Sequence, residues 1–288
     1  METLLTAPDG RVVGINQKML NFMPFTLVTN QPNLIVTVPT GTTSPSIAMT
    51  VSGEGPAQIV SFAKQASAAA KVKLHIQEGS DIRPLMNGAV HIDTLFGGGN
   101  TPYPLPEALY VDELRRLMVE IQNIAATSVA VRLAAACFRA TSLEADPTLM
   151  IGRKRQGVRQ FLSTPYWYTL DDGPITLTTT DIAEYTITIG PDHHFHLMQL
   201  MASSDASFDI NLLDLNTGES LVQTPLADTN LLASEVMFGT ANYPICLMSP
   251  RLFQTGQKIL VRIRNRDVGA NVIYLTLGGR ALADKMWR

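Results

Sequence analysis

Charge is what this chain has least of. Of its 288 residues, 16% are Asp, Glu, Lys or Arg, against about 25% in an average globular protein. The 22 Lys and Arg nearly balance the 25 Asp and Glu, leaving a net charge of -3, which excludes the basic footprint of a protein that grips nucleic acid by its phosphates. Aromatic residues are sparse at 7%, and cysteine is reduced to Cys137 and Cys246. Those two show neither CxxC nor metal-ligand spacing, so they read as two buried thiols; a disulfide would need an oxidising compartment that nothing else in the sequence points to. Long apolar runs are missing too, and no stretch approaches the ~18 uncharged residues of a membrane helix. The opening segment, with Glu2, Asp9 and Arg11, lacks the cationic start and apolar run of a secretory signal. The expectation is a chain made in a cytoplasm and kept there until it is assembled into something.

What is present is apolar residues, 45% of the total. That is ample for cores and excludes a disordered chain, and the length is worth about two domains. With so little charge, the surface must be built largely from Thr, Ser, Asn, Gln, Gly and Pro.

An internal repeat organises the chain. Residues 96–123 align without gaps on residues 238–265, with eight identities in 28 positions: Phe96/Phe238, Gly97/Gly239, Asn100/Asn242, Pro102/Pro244, Leu105/Leu247, Val119/Val261, Ile121/Ile263 and Asn123/Asn265. Ordinary residue frequencies supply about two by chance. The match continues with small gaps, Val131-Arg132-Leu133 answering Leu275-Thr276-Leu277 and Gly55-Pro56 answering Gly190-Pro191. The two halves read as divergent copies of one domain.

The repeat arbitrates secondary structure. Residues 107–122 are good helix formers by propensity, but their counterpart, 249–264, holds Pro250 and Gly256 and then alternates Ile259, Val261 and Ile263 with Lys258, Arg262 and Arg264. That is a strand entered through a turn, so Leu117–Gln122 is expected to be a strand as well. Val129–Ala136 becomes a strand by the same logic, from β-branched and aromatic Val272–Leu277. Further strands are expected at Asn33–Thr37, Ser46–Val51, Gln58–Phe62, Val72–Gln77 and Val90–Phe96. In the second half they fall at Ile175–Thr179, Tyr185–Ile189, His194–Met201, Phe208–Asp214 and Glu235–Phe238. Short strands broken by turn residues every 8–12 positions predict an all-β chain of two tandem, duplicated antiparallel β-sandwiches, each jelly-roll-like. The expected boundaries are 1–140 and 165–288, joined by a linker at 141–164 with a short helical turn. Phe96 and Phe238 should point inward at matching strand ends, each followed by a glycine that lets the chain turn.

The densest ionisable cluster is Asp192-His193-His194-Phe195-His196. His194 and His196 share a strand face, and such a pair can ligate zinc. A third ligand would have to come from elsewhere, and the counterpart turn Pro56-Ala57-Gln58-Ile59 has no histidine. The cluster is therefore read as hydrogen-bonded turn and strand residues, with no metal or cofactor assigned. Gly97-Gly98-Gly99-Asn100 opens no helix and precedes no Lys-Ser/Thr, so it is read as a turn with positive-φ positions and not a phosphate loop. Arg153, Lys154, Arg155 and Arg159 form the one basic run. They are the candidate contact residues for nucleic acid or an acidic protein surface, set against the plainer reading of a solvated or domain-bridging linker; no aromatics interleave with them for base stacking.

No catalytic residue is assigned. GxSxG is absent, and Asp171-Asp172-Gly173 reads as a turn whose counterpart, Asn30-Gln31-Pro32, keeps neither acid. Trp167 and Trp287 are fewer tryptophans than a glycosidase cleft usually carries. The chain is read as a structural or interaction protein and not an enzyme.

The second-half pattern of Phe238-Gly239, Pro244, Leu247, VRIRN at 261–265 and LTLGG at 275–279 resembles sandwich domains in virion structural proteins of tailed double-stranded DNA bacteriophages. It looks most like capsid decoration (cement) proteins and related head or neck components. Both halves carry versions of it, across most of residues 24–282. The resemblance implies a virion protein, assembled in the host cytoplasm, that bridges shell subunits and has the major capsid protein, other virion proteins and itself as partners, with no membrane and no nucleic acid among them. A neck or tail-associated protein and a carbohydrate-binding or hydrolytic β-sandwich are the alternatives.

Overall fold

The computed structural model describes residues 3–6, 12–15, 22–28, 35–49, 57–111, 115–140, 163–170, 175–178, 182–221 and 231–283. These form an all-β fold of antiparallel sheets. A short hairpin, β1 (Thr3–Thr6) and β2 (Val12–Ile15), stands first. The first half then runs β3 (Phe22–Val28), β4 (Val36–Val38), β5 (Ile47–Met49), β6 (Ala57–Ala66), β7 (Ala70–Glu78), β8 (Asp81–Pro84) and β9 (Val90–His91). A single helical turn, α1 (Ile92–Leu95), leads on to β10 (Tyr103–Val111), β11 (Arg115–Asn123) and β12 (Val129–Ala140). The second half runs β13 (Ser163–Thr169), β14 (Ile175–Leu177), β15 (Ile182–Thr188), β16 (His193–Ser204), β17 (Phe208–Asp214) and β18 (Leu232–Ala233). It then has its own turn, α2 (Ser234–Met237), followed by β19 (Ile245–Phe253), β20 (Lys258–Asn265) and β21 (Asn271–Ala283).

The strand order repeats. In the first half one sheet runs β10-β6-β12-β3, with β4 also on β12, and the other runs β5-β11-β7-β8, with β9 also on β7. In the second half β13-β21-β16-β19, with β14 on β21, mirrors the first sheet, and β15-β20-β17-β18 mirrors the second, with β18 in the place of β9 and no counterpart of β8 among the described residues. Each half is thus a sandwich of two antiparallel sheets whose inner faces meet, the jelly-roll arrangement. Alternation drives it: in β20, Ile259, Val261 and Ile263 are buried while Lys258 is exposed, and in β11, Leu117, Val119 and Ile121 are buried in the matching places. The strand reading of 117–122 and 129–136 holds, since a helix there would turn this period-2 stripe away from the core. Met118, on the opposite face of the same strand, is buried as well.

Three expectations need correction. Val90–Phe96 and Glu235–Phe238 are not strands throughout, because each contains a one-turn helix closed by the N–H of Phe96 on the Ile92 carbonyl or of Phe238 on the Ser234 carbonyl. Both phenylalanines are nevertheless buried. The glycines at 97–99 do not have positive φ; the positive-φ glycines among the described residues are Gly41, Gly79, Gly218 and Gly256. Gly97 and Gly239 are instead demanded by close approach: a Cβ at Gly97 would overlap the carbonyl oxygen of Thr101, and one at Gly239 that of Tyr243. Finally, the repeat needs no gap in its last strands. Parallel bridges Ala63–Gly97 and Met201–Gly239, with pairs Ala63–Ala134 and Met201–Thr276, set Ala134 opposite Thr276 in the repeat, the same 142-residue offset as Asn123 and Asn265.

Candidate interaction surfaces

The two sandwiches meet through different faces. The first offers α1, the chain on either side of it and the start of β10; the second offers the outer face of β13, β21 and β16. Apolar packing is continuous across the join, because Trp167, Met201 and Ala241 of the second half belong to the first sandwich's core.

Buried hydrogen bonds fix the register of this contact. The Tyr103 hydroxyl donates to Gln199 Oε1 at 2.5 Å and accepts from Trp167 Nε1 at 3.0 Å, and Gln199 Nε2 donates to the Pro104 carbonyl at 3.2 Å. Tyr103 and Trp167 are fully buried, so each polar atom needs its partner there. Burial also holds the Tyr103 phenol well above its ordinary pKa, so it stays a donor. Gly278 leaves the room: a Cβ there would stand 3.1 Å from the Tyr103 hydroxyl. Nearby, Thr94 Oγ1 and Thr276 Oγ1 lie 2.7 Å apart. Thr94 spends its proton on the His91 carbonyl at 2.9 Å, so the Thr276 hydroxyl is the donor of the pair.

The edges of the contact are pinned by backbone. Asn87 and Thr169 exchange two bonds, Asn87 Nδ2 to the Thr169 carbonyl at 2.9 Å and the Thr169 N–H to Asn87 Oδ1 at 2.8 Å. The Trp167 N–H reaches the Leu85 carbonyl at 3.0 Å, and the Gly98 N–H donates to Asn242 Oδ1 at 2.6 Å. His91 stacks on Tyr274 with ring centroids 4.2 Å apart. Burial pushes the His91 pKa down to about 4, outweighing the pull of Asp93 in the other direction. The ring is neutral, and its Nδ1 accepts from the Asp93 N–H.

The second sandwich has the same α1–β10 face, as α2 and the start of β19; the loop between them packs on the first sandwich through Ala241 and Asn242, but nothing among the described residues covers α2 and the start of β19 themselves. Val236, in the place of Thr94, is 68% exposed, and Ile245, in the place of Tyr103, is 38% exposed, whereas Thr94 and Tyr103 are 0% exposed. Tyr243 and Met248 extend the apolar surface, and β19 is the edge strand of its sheet. An edge strand with several exposed apolar side chains is an association surface unless it is blunted.

The residues singled out from sequence fall elsewhere. Arg153, Lys154, Arg155 and Arg159 lie outside the described residues, as do Asp171-Asp172-Gly173 and Trp287. The histidine cluster is hydrogen-bonded piece by piece. His193 Nε2 pairs with the Tyr168 hydroxyl at 2.9 Å, His194 Nδ1 accepts from the Thr255 N–H at 3.0 Å, and His196 Nδ1 accepts from Arg280 Nε at 3.0 Å. Among the described residues no group of three or more His, Cys, Asp or Glu side chains could hold a metal ion, and no helix is long and apolar enough to cross a membrane. Cys137 is buried as expected, but Cys246 is exposed on the edge strand β19, as is its first-half counterpart Pro104 on β10. Trp167, weighed in the sequence only as a cleft aromatic, is a centre of the contact between the sandwiches. Sequence reasoning passed over Tyr103, Gln199 and Thr276 because the repeat does not keep them; their mismatch with Ile245, Ser61 and Ala134 was the available signal.

No protein-family model matches the chain, and no curated protein matches it. Among solved structures it is similar to STIV MCP, a viral major capsid protein, at 9% identity and a TM-score of 0.42, covering 89% of this chain and 96% of that one. It is similar to the exported protein XepA of PBSX at 10% identity and a TM-score of 0.25, covering 96% and 93%. The tandem CBM22-1–CBM22-2 domain of Paenibacillus barcinonensis Xyn10C matches at 10% identity and a TM-score of 0.19, covering 91% of each chain.

Proposed function

We propose that this chain is a structural protein of a virion, working by repeated lateral contacts in an assembled shell and not by turnover chemistry. One observation carries the reading: the face with which the first sandwich binds its neighbour is present again on the second, exposed and apolar. A chain that keeps an open copy of its own binding face is built to be one member of a series. The low charge supports the same reading, since polar-neutral and apolar surface is cheaper to desolvate on assembly than charged surface.

The finer role follows the sequence resemblance: a decoration (cement) protein that bridges shell subunits, with the major capsid protein as partner. Two sandwiches on one chain would let the second contact profit from the effective concentration set by the first. The head-to-tail use of two different faces favours a second role, that of a shell-building subunit, because such contacts extend from chain to chain.

Purified chain mixed with emptied particles, with dissociated capsid subunits, and with nothing separates these. A cement protein binds assembled shells far more tightly than free subunits and raises the temperature at which particles lose DNA. A building subunit forms ordered arrays alone. Binding to neither shells nor subunits, with no arrays, would overturn the virion reading.

A further inference from the structure

We infer that the α2–β19 face of one chain docks on the outer β12–β6 face of the first sandwich in a second copy of the same chain, repeating between chains the contact that joins the two sandwiches within one. The template is the internal interface itself. There, Thr94 meets Thr276 and Tyr103 meets Gln199 beside Gly278. The 142-residue offset turns Thr94 into Val236 and Thr276 into Ala134; it turns Tyr103 into Ile245 and Gly278 into Ala136. Ser61 stands where Gln199 does, two positions before the bridge residue in each half.

The changes are matched on both sides. Where the internal contact has two hydroxyls in a buried hydrogen bond, the contact between chains would have Val236 against Ala134, both apolar. Where it has a tyrosine that needs acceptor, donor and a glycine's room, the contact between chains would have a shorter isoleucine against a serine and an alanine. The first exchange strands no polar group, which is the condition for burying it; the second removes a phenol and an amide and leaves the half-buried Ser61 hydroxyl as its one side-chain polar group. The exposed positions are those the template predicts: Val236 and Ile245 on one side, Ala136 on the other, with Ala134 and Ser61 half-buried. Asn100, the counterpart of Asn242 that caps the internal loop contact, is exposed beside them.

The contact is heterologous, one face on a different face, so it propagates and does not stop at a symmetric dimer; it closes into a ring or continues as an open array. It rests on the internal interface alone and holds whether or not the assembly belongs to a virion.

Two variants test it, each blocking one face: Val236→Glu on the donor side and Ala134→Glu on the acceptor side. Light scattering coupled to size exclusion, with thermal unfolding to verify that each variant is folded, reads the mass. The wild-type chain is expected to run as a concentration-dependent oligomer and each variant alone as a monomer. An equimolar mixture of the two variants is expected to form a one-to-one dimer, because it retains one intact pair of faces. A monomeric wild type, variants that still oligomerise, or a mixture that stays monomeric would overturn the proposal. The mixture is decisive against a symmetric interface, in which no pairing of blocked chains is restored. Failure here leaves the shell reading open, since a decoration protein can bind a shell as a monomer.

Discussion

Asn123 and Asn265, 142 residues apart in the chain, share three matching hydrogen bonds in the two sandwiches, to which Asn265 adds one accepted from Asn271 Nδ2 at 3.3 Å. Asn123 Nδ2 donates to the carbonyls of Val38 and Thr127, both at 2.9 Å, and Oδ1 accepts from the Ala125 N–H at 2.8 Å. Asn265 Nδ2 donates to the carbonyls of Leu177 at 3.4 Å and Gly269 at 2.7 Å, and Oδ1 accepts from the Asp267 N–H at 3.1 Å. One side chain thus ties the turn after its own strand to the strand β4 or β14. That accounts for its identity in the repeat: only an amide offers two donors and an acceptor in this arrangement.

Asn123→Ala or Asn265→Ala should each destabilise the fold by about 1–3 kcal/mol, the range for leaving buried polar groups unpaired. Asn→Asp at the same sites should be no milder, because a carboxylate oxygen would face a carbonyl. Urea unfolding midpoints at unchanged slope give the comparison; an aspartate variant as stable as wild type would contradict it.

Gly97→Ala and Gly239→Ala should be far more disruptive than the same change at Gly99. A Cβ at Gly99 meets nothing within 4 Å, whereas at Gly97 and Gly239 it overlaps main-chain carbonyls that have no rotamer to give. Soluble yield and melting temperature of the three variants provide the check, and equal tolerance at all three would remove the close-approach explanation for the repeated Phe-Gly pair.

Tyr103→Phe should cost about 1–3 kcal/mol while removing a single oxygen, since it strands Trp167 Nε1 and Gln199 Oε1 in a buried contact. The same change should alter the fluorescence of Trp167, which loses its hydrogen-bond acceptor. Loss of stability without any change in tryptophan emission would place the damage elsewhere.

Acid should loosen the contact between the sandwiches through His91. Its folded pKa is depressed to about 4 by burial, while an unfolded histidine takes up its proton near 6.5. The unfolded state therefore binds more protons between these values, so stability is full above pH ~6.5, declines as the pH falls toward 4 and levels off below. The loss from this residue is at most about 3 kcal/mol. His91→Asn keeps an acceptor for the Asp93 N–H but does not titrate, so it should flatten the pH dependence of unfolding over that window. An unchanged slope would exclude His91 as its source.

Much of the fold was legible because the repeat supplied a second reading of each strand. Residues 107–122 alone look helical, and Pro250, Gly256 and the alternation after them corrected this. The one-turn helices at Ile92–Leu95 and Ser234–Met237 were not legible: four residues are too few to show a 3.6-residue period, and both follow β-like segments. The contact between the sandwiches escaped for a different reason. It is built from Tyr103, Gln199, Thr94 and Thr276, positions at which the halves differ, so a search for identities passes over them. A difference between repeats marks where two otherwise equivalent faces have different neighbours, and that became readable only once the faces were placed.

The central claim, that this is a shell protein of a virion, is tested most directly by counting its copies in purified particles by quantitative mass spectrometry against the major shell subunit. The account predicts a fixed ratio to the shell lattice, on the order of hundreds of copies in a symmetric shell. Roughly tens of copies or fewer, the number a single neck or tail ring would hold, or absence from the particle would contradict it.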